Sequence, residues 1–271
     1  MNECTRAVVL AAGAGTRMRR DVGGPGLNEE QRSAAAGGLK GMIPDARGRP
    51  FLDHVLSALA DGGVVEVCLV VGSHDGPIRD HFELRPPRRT SLAFAVQPTP
   101  RGTADAVLHA RDWIGARDVL VLNADNLYPP AAIGALVQLG AAGLVAFDRE
   151  TLIRESNFDA ARIRAFATLE LRADDTLAAI VEKPATDDAS ISASPWISMN
   201  LWRCDAALLD ACRDVTPSPR GELELPLAVG LAIQRGDRLQ AVRLAAGVLD
   251  LSSRSDIVDV ARRLGDRDIL P

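Results

Sequence analysis

Ala7-Val8-Val9-Leu10-Ala11-Ala12-Gly13-Ala14-Gly15-Thr16-Arg17-Met18 joins a short apolar run to a turn of small residues. The run carries no polar position, which is the pattern of a strand buried on both faces of a sheet. The turn lets backbone N–H groups approach a polyphosphate closely, and Arg17 adds a forked cation. A dinucleotide fingerprint would want glycine where Met18 stands, and no Lys-Ser/Thr pair follows Gly15 as in a Walker loop. Glycine turns after a first strand also arise for packing alone, so the stretch fixes the fold class before it fixes the chemistry.

Working outward, similar runs recur at Val67–Val71, Leu92–Val96 and Val119–Leu122, and again at Val145–Phe147. Between them lie helical spacings: Phe51, Val55, Leu56 and Leu59; Ala104, Val107, Leu108 and Arg111; Ile133, Leu136, Val137 and Leu139. Strand and helix in alternation predict an α/β fold with a mostly parallel sheet and helices on its faces. After Phe147 the alternation gives way to shorter candidate strands, Phe166–Leu171 and Leu177–Val181, which predict a small β extension. Helices at Ala206–Cys212 and Leu225–Gln234, a strand at Ala241–Leu244 and a last helix at Ile257–Leu264 complete the reading. Residues 21–39 are rich in Gly and Ala and read as an insertion, with Asn28 capping a short helix that ends at Gly37; it is either a tolerated surface loop or a flap beside a site.

The chain of 271 residues is 47% hydrophobic and 25% charged with a formal net charge of -5, which argues against disorder, a membrane protein or a protein that coats nucleic acid. A single domain of this size buries about 75% of its unfolded surface and needs neither disulfide nor structural metal. The four cysteines have no metal-ligand spacing and the N-terminus no signal-peptide pattern, so the expectation is a reduced, cytoplasmic protein. Of 31 basic residues only Lys40 and Lys183 are lysine. In so arginine-rich a chain the two lysines stand out as positions that want a compact ammonium rather than a planar fork. The four histidines form no ligand pair and accompany no nucleophile.

The run Leu10–Met18, then Lys40-Gly41-Met42-Ile43-Pro44 and Gly48-Arg49-Pro50, resembles the opening of the sugar-phosphate nucleotidyltransferases, the pyrophosphorylases that make nucleotide sugars. The likeness continues in order through Gln97–Ala104, Asn123-Ala124-Asp125-Asn126, Glu182-Lys183-Pro184, Arg220–Leu225 and Leu249-Asp250. It implies one Rossmann-like three-layer α/β/α domain over 1–271, of the nucleotide-diphospho-sugar transferase type. The nucleotide-binding half would span about 1–126 and the acceptor-binding half about 127–271. It also implies that a sugar 1-phosphate oxygen attacks the α-phosphorus of a nucleoside triphosphate in line and expels pyrophosphate. No protein nucleophile or general base is needed, so alignment and charge neutralisation carry the catalysis.

On that resemblance Asp125 and Asp250 would hold Mg²⁺, which takes hard oxygen ligands and usually few from the protein. Lys40 would meet the triphosphate, Lys183 the sugar phosphate, and Arg17 the β and γ phosphates. Ala11, Ala12, Gly13, Gly15, Thr16 and Thr103 would line the nucleotide, with Gln97 and Gly102 reading the base. Asn126, Glu182 and Asn200 would hold the acceptor. The base segment is most similar to that of the uridylyl and thymidylyl enzymes, so UTP or dTTP is favoured over a purine triphosphate.

Departures cluster on the acceptor and insertion sides: Leu39 where proline is usual, Leu251-Ser252-Ser253 after Asp250, and Ser198–Trp202 in place of a common glycine and tyrosine. A cyclitol 1-phosphate or an unusual sugar phosphate therefore stays open as acceptor. A metal-dependent glycosyltransferase would need neither the glycine loop nor Lys40. A catalytically silent nucleotide-sugar binder should have lost one of Arg17, Lys40, Asp125, Lys183 or Asp250, and all five are present. No nucleic acid or membrane partner is expected.

Overall fold

The computed structural model describes residues 3–20, 26–74, 76–181, 194–265 and 267–271. The first half runs β1 (Arg6–Leu10), α1 (Thr16–Arg20), α2 (Glu29–Gly37), a 3₁₀ turn (Lys40–Met42), α3 (Phe51–Asp61), β2 (Glu66–Val71), α4 (Gly76–Leu84) and β3 (Ser91–Val96). Then follow α5 (Thr103–His109), α6 (Arg111–Ile114), β4 (Val119–Asn123), β5 (Asn126–Leu127), α7 (Pro130–Gln138), β6 (Gly143–Asp148), α8 (Arg149–Glu155) and α9 (Ala160–Ile163). The chain closes with β7 (Ala167–Leu171), β8 (Leu177–Val181), β9 (Trp196–Cys204), α10 (Ala206–Asp214), α11 (Leu225–Gln234), β10 (Gln240–Leu244), β11 (Leu249–Asp250) and α12 (Arg254–Leu264).

The main sheet has the order β10-β6-β9-β4-β1-β2-β3. Neighbours are parallel at β10/β6, β4/β1, β1/β2 and β2/β3, while β9 runs antiparallel between β4 and β6. The strand pair β7/β8 extends the sheet from β9, which is the predicted β extension. Alternate residues of one strand feed opposite cores, as the two-residue repeat of a strand requires. Ala7, Val9, Leu120 and Leu122 pack with α3 and α7, whereas Val8, Cys68, Val70 and Val121 pack with α5, α10 and α11. Burial on both faces is why the sequence wrote these strands as unbroken apolar runs.

From β1 the chain winds one way to β2 and β3, then returns to place β4 on the other side of β1. In doubly wound sheets ligands bind beyond the carboxyl ends of the strands at this reversal. The ends meet there directly: Ala11 N–H donates to Val70 O at 2.7 Å and Ala124 N–H to Leu10 O at 3.0 Å. No helix of the described residues is long and apolar enough to cross a membrane.

The helix expected at Asn28 forms as α2. Asn28 and Gln31 cap it reciprocally, and Gly38 closes it at φ +71°. Gln31 also donates to Pro44 O at 3.1 Å, and Arg19 donates to Gly37 O at 2.8 Å. Both ends of α2 are thereby tied to the rest of the fold. The helix expected from Ala104 to Arg111 is interrupted at Ala110, which ends α5 and begins α6.

Candidate active site

The loop after β1 packs backbone to backbone on the end of α2. A Cβ on Gly15 would lie 2.4 Å from Gly38 O, so the approach needs glycine at Gly15, which also holds φ +59°. Gly38 then leads within two residues to Lys40, whose ammonium reaches Asp125 Oδ2 at 2.8 Å. Both side chains keep about a quarter of their surface exposed (23% and 25%), so the pair is open to a ligand. Asp125 follows β4, and its carbonyl accepts from Leu251 N–H at 2.8 Å, which ties it to the short antiparallel ribbon of β5 and β11.

A hollow of about 380 Å³ opens at this point, lined by Leu10 to Thr16, Gly38 to Gly41, Gln97, Gly102, Thr103, Asn123 to Asp125 and Glu222. A second, also about 380 Å³, is lined by Arg17, Phe166, Asn200, Arg220, Glu222 and Glu224 together with Gly15, Thr16, Lys40, Thr103, Asn123 and Asp125. Lys40 and Asp125 therefore stand in the wall common to both hollows. The first is roofed by small residues and backbone; the second is edged by ionic side chains.

Gln97 follows β3 and is buried at the rim of the first hollow. Gly102 holds φ +120° and presses on Leu223, where an added Cβ would fall 2.3 Å from the Leu223 carbonyl oxygen. Leu223 N–H donates to Arg101 O at 2.7 Å, Ala104 N–H to Leu223 O at 2.8 Å, and Leu225 N–H to Thr103 Oγ1 at 2.8 Å. This clasp between segments some 120 positions apart carries Glu222, Arg220 and Glu224 to the site. Arg220 pairs with Glu224 at 2.8 Å. The sequence resemblance takes in Arg220–Leu225 as a motif but gives Arg220, Glu222 and Glu224 no role; two acids flanking one leucine just before an apolar helix were the available signal.

On the acceptor side β9 bulges against β6 between Trp202 and Ser198. Asn200 takes φ +59°, a left-handed conformation rare for a residue with a side chain, and lines the second hollow. The bulge is held by Tyr128, whose buried O–H donates to Met199 O and also reaches Asn200 O at 3.2 Å. Burial first, then the charges of Asp125 and Asp250, push the Tyr128 phenol well above its ordinary value, so it stays a donor.

Asp250 is buried on β11 opposite Asn126. Its carboxylate accepts from Ser252 Oγ at 2.9 Å and is ion-paired with Arg162, which also bonds Asp256. Burial, then the nearby charge of Asp125, raises its pKa to about 6, against the lowering effect of Arg162. The two carboxylates interact, one buried and paired with Arg162, the other facing the hollows and paired with Lys40, and both offer the hard oxygens that Mg²⁺ accepts. No group of three or more His, Cys, Asp or Glu gathers among the described residues, so such an ion would draw its other ligands from phosphate or water.

The fold thus brings together Ala11, Ala12, Gly13, Gly15, Thr16, Arg17, Lys40, Gln97, Gly102, Thr103, Asp125 and Asn200 around the hollows. Asp250 and Asn126 stand behind them: neither lines a hollow, and Asn126 is buried in the ribbon. Glu182 and Lys183 lie outside the described residues.

A model of the family described as nucleotidyl transferase matches residues 35–267. A UTP–glucose-1-phosphate uridylyltransferase, AglF, of Haloferax volcanii is 28% identical over 260 residues, covering 96% of each chain. A glucose-1-phosphate thymidylyltransferase of Streptomyces griseus is 26% identical over 95% of this chain and 65% of its own length. The bifunctional protein GlmU of Methanococcus maripaludis is 27% identical over 93% of this chain, which spans 52% of that relative. A solved UDP-glucose pyrophosphorylase, complexed with UDP-glucose, shares the fold at a TM-score of 0.77 with 14% identity, over 98% of this chain and 100% of that one. With a family model matching most of its length, the chain belongs to the nucleotidyl transferase family.

Proposed function

We propose that this chain transfers a nucleotidyl group from UTP or dTTP to the phosphate of a sugar 1-phosphate, releasing pyrophosphate and forming a nucleoside diphosphate sugar. The observation that carries the reading is the common wall: Lys40 and Asp125 line both hollows, so a triphosphate in the first and a phosphate ester in the second would meet there. The uridylyl and thymidylyl relatives support the choice of substrates.

In this reading the small residues Ala11 to Gly15 lie along the triphosphate, with Thr16 and Arg17 at its far phosphates. Gln97, Gly102 and Thr103 frame the base. Asn200, Glu182 and Lys183 take the acceptor, with Glu222 at the junction. An acceptor phosphate oxygen forms a bond to the α-phosphorus as the bond from that phosphorus to the β-phosphate oxygen breaks, and the electron pair leaves on pyrophosphate. The acceptor oxygen is already anionic at neutral pH, so no side chain has to take a proton. Lys40 neutralises charge at the α-phosphate, and holding both reactants in register supplies roughly 7–11 kcal/mol of the barrier reduction. Asp125, with Asp250 behind it, would hold Mg²⁺, which would supply charge neutralisation on the phosphate oxygens.

The four cysteines are all unpaired and buried, which supports a reducing, cytoplasmic setting. The test is pyrophosphate release with Mg²⁺, each common triphosphate being paired with a panel of sugar and cyclitol 1-phosphates and Asp125→Asn as the blank. Release with one pair, lost in the variant, is expected. Triphosphate binding with no release from any pair would overturn the reading in favour of a silent binder.

A further inference from the structure

Gln97 is held in one of its two amide orientations. Its Nε2 donates to Gly102 O at 3.1 Å and to Asp105 Oδ2 at 2.8 Å. Gly102 O also accepts from Ala106 N–H at 3.1 Å, and both partners of the amide are acceptors only. Turning the amide over would set Gln97 Oε1 against a carbonyl and a carboxylate at once, so the nitrogen must point inward. Asp105 is itself buried on α5, with His109 Nε2 at 3.5 Å and Arg101 Nη1 at 4.0 Å. Among the described residues Gln97 Oε1 meets no donor, and Gln97 lines the first hollow. What the side chain can still offer a ligand is an acceptor.

We propose that Asp105 is a specificity-determining residue for the nucleotide: by taking an amide proton of Gln97 it fixes the Gln97 oxygen toward the base, so the site selects uridine or thymidine triphosphate over cytidine triphosphate. The inference rests on the reading that the first hollow holds the triphosphate. Uracil and thymine present an N3–H donor between two carbonyls, which the fixed oxygen accepts. Cytosine presents a bare N3 acceptor at the same place, and two facing acceptors repel. The pyrimidines are otherwise nearly the same shape, so discrimination must come from this edge, through a hydrogen bond for one and an unpaired buried acceptor for the other. Asp105 reaches no ligand in this account. It acts through Gln97 and is a positioning residue.

The experiment measures UTP and CTP binding by calorimetry, and kcat/KM with both, for the wild-type protein, Asp105→Asn, Gln97→Met and the double variant. The wild type is expected to prefer UTP by about tenfold or more. In Asp105→Asn the new amide can donate to Gln97 Oε1 and let the side chain turn, so the UTP/CTP ratio falls by about fivefold or more, chiefly through tighter CTP binding. A merely structural role would weaken both nucleotides alike and leave the ratio unmoved. Because Asp105 acts through Gln97, its substitution should have no effect on the ratio once Gln97 is methionine. Equal binding of UTP and CTP by the wild type would overturn the inference without any variant, and so would an unchanged ratio in Asp105→Asn. Selective UTP binding with no turnover would bear out the lock and remove the transfer reaction instead.

Discussion

Asp45→Asn tests whether the turn that follows Lys40 is held by one buried charge. Asp45 Oδ1 accepts from the backbone N–H groups of Arg47 at 2.8 Å and Arg49 at 2.9 Å. Oδ2 accepts from Arg49 Nε at 2.8 Å and stands 3.0 Å from His54 Nε2. An asparagine can keep the first oxygen but must face Arg49 and His54 with an uncharged group. Losing a charge-assisted bond costs about 1.5–3 kcal/mol, and breaking a fully buried pair about 3–5. The Asp45 side chain is fully buried but that of Arg49 is 22% exposed, so water takes up part of the loss. The expected destabilisation at pH 7 is therefore about 2–3 kcal/mol, or roughly 5–10 °C in Tm for a chain of this length.

The same group gives the prediction a pH signature. Burial pushes the Asp45 carboxyl up, but the Arg49, Arg47 and His54 contacts together outweigh it and lower its pKa below the usual 3.8. A lowered carboxyl pKa contributes stability that is present above the unfolded value and lost as pH falls through the folded one. The asparagine variant has nothing to titrate at this position. Urea unfolding of both proteins from pH 7 downward should show their stabilities converging below about pH 4. A gap under about 0.5 kcal/mol at pH 7, or one that stays constant into acid, would refute the argument.

Gly102→Ala meets Leu223 O at 2.3 Å at a φ of +120°. It should open the clasp, costing about 1–3 kcal/mol from the backbone alone and raising KM for both substrates; unchanged kinetics would be the contrary result. Tyr128→Phe removes the donor to Met199 O and Asn200 O. It should cost about 1–2 kcal/mol in urea unfolding and raise KM for the acceptor while leaving that for the triphosphate in place. Lys40→Arg replaces a point charge 2.8 Å from Asp125 with a planar fork, and steady-state rates should fall at least about tenfold.

The parts of the fold that were legible are those where one strand or helix declares itself locally. β1, β2 and β4 wrote their double burial as apolar runs, the edge strand β3 reads as apolar too, and Leu225–Gln234 matches α11 at both ends. β9 did not read as a strand, because Ser198, Asn200 and Arg203 interrupt its apolar pattern. Arg203 is tolerated in the core through the Leu136 and Val137 carbonyls and Asp118, partners supplied by other elements. The β5/β11 ribbon is two residues a side and joins positions over 120 apart, too short to carry a pattern. In the site, the glycine loop, Lys40 and Asp125 stood out because the chemistry constrains residue type. Glu222 and Glu224 did not, since only the clasp on Gly102 brings them there, and the hold of Asp105 on Gln97 spans a turn and a helix start.

The wall shared by the two hollows has a consequence for what happens after the bond is made. In the reaction proposed a nucleoside diphosphate sugar would span both, so each half would be anchored while the other lets go, and a released half would see its own hollow at an effective concentration on the order of millimolar. Such a molecule would leave slowly and compete with both substrates at once. For the reaction proposed, turnover at saturation should follow product escape rather than phosphoryl chemistry, making the enzyme a gauge of how fast its product is consumed.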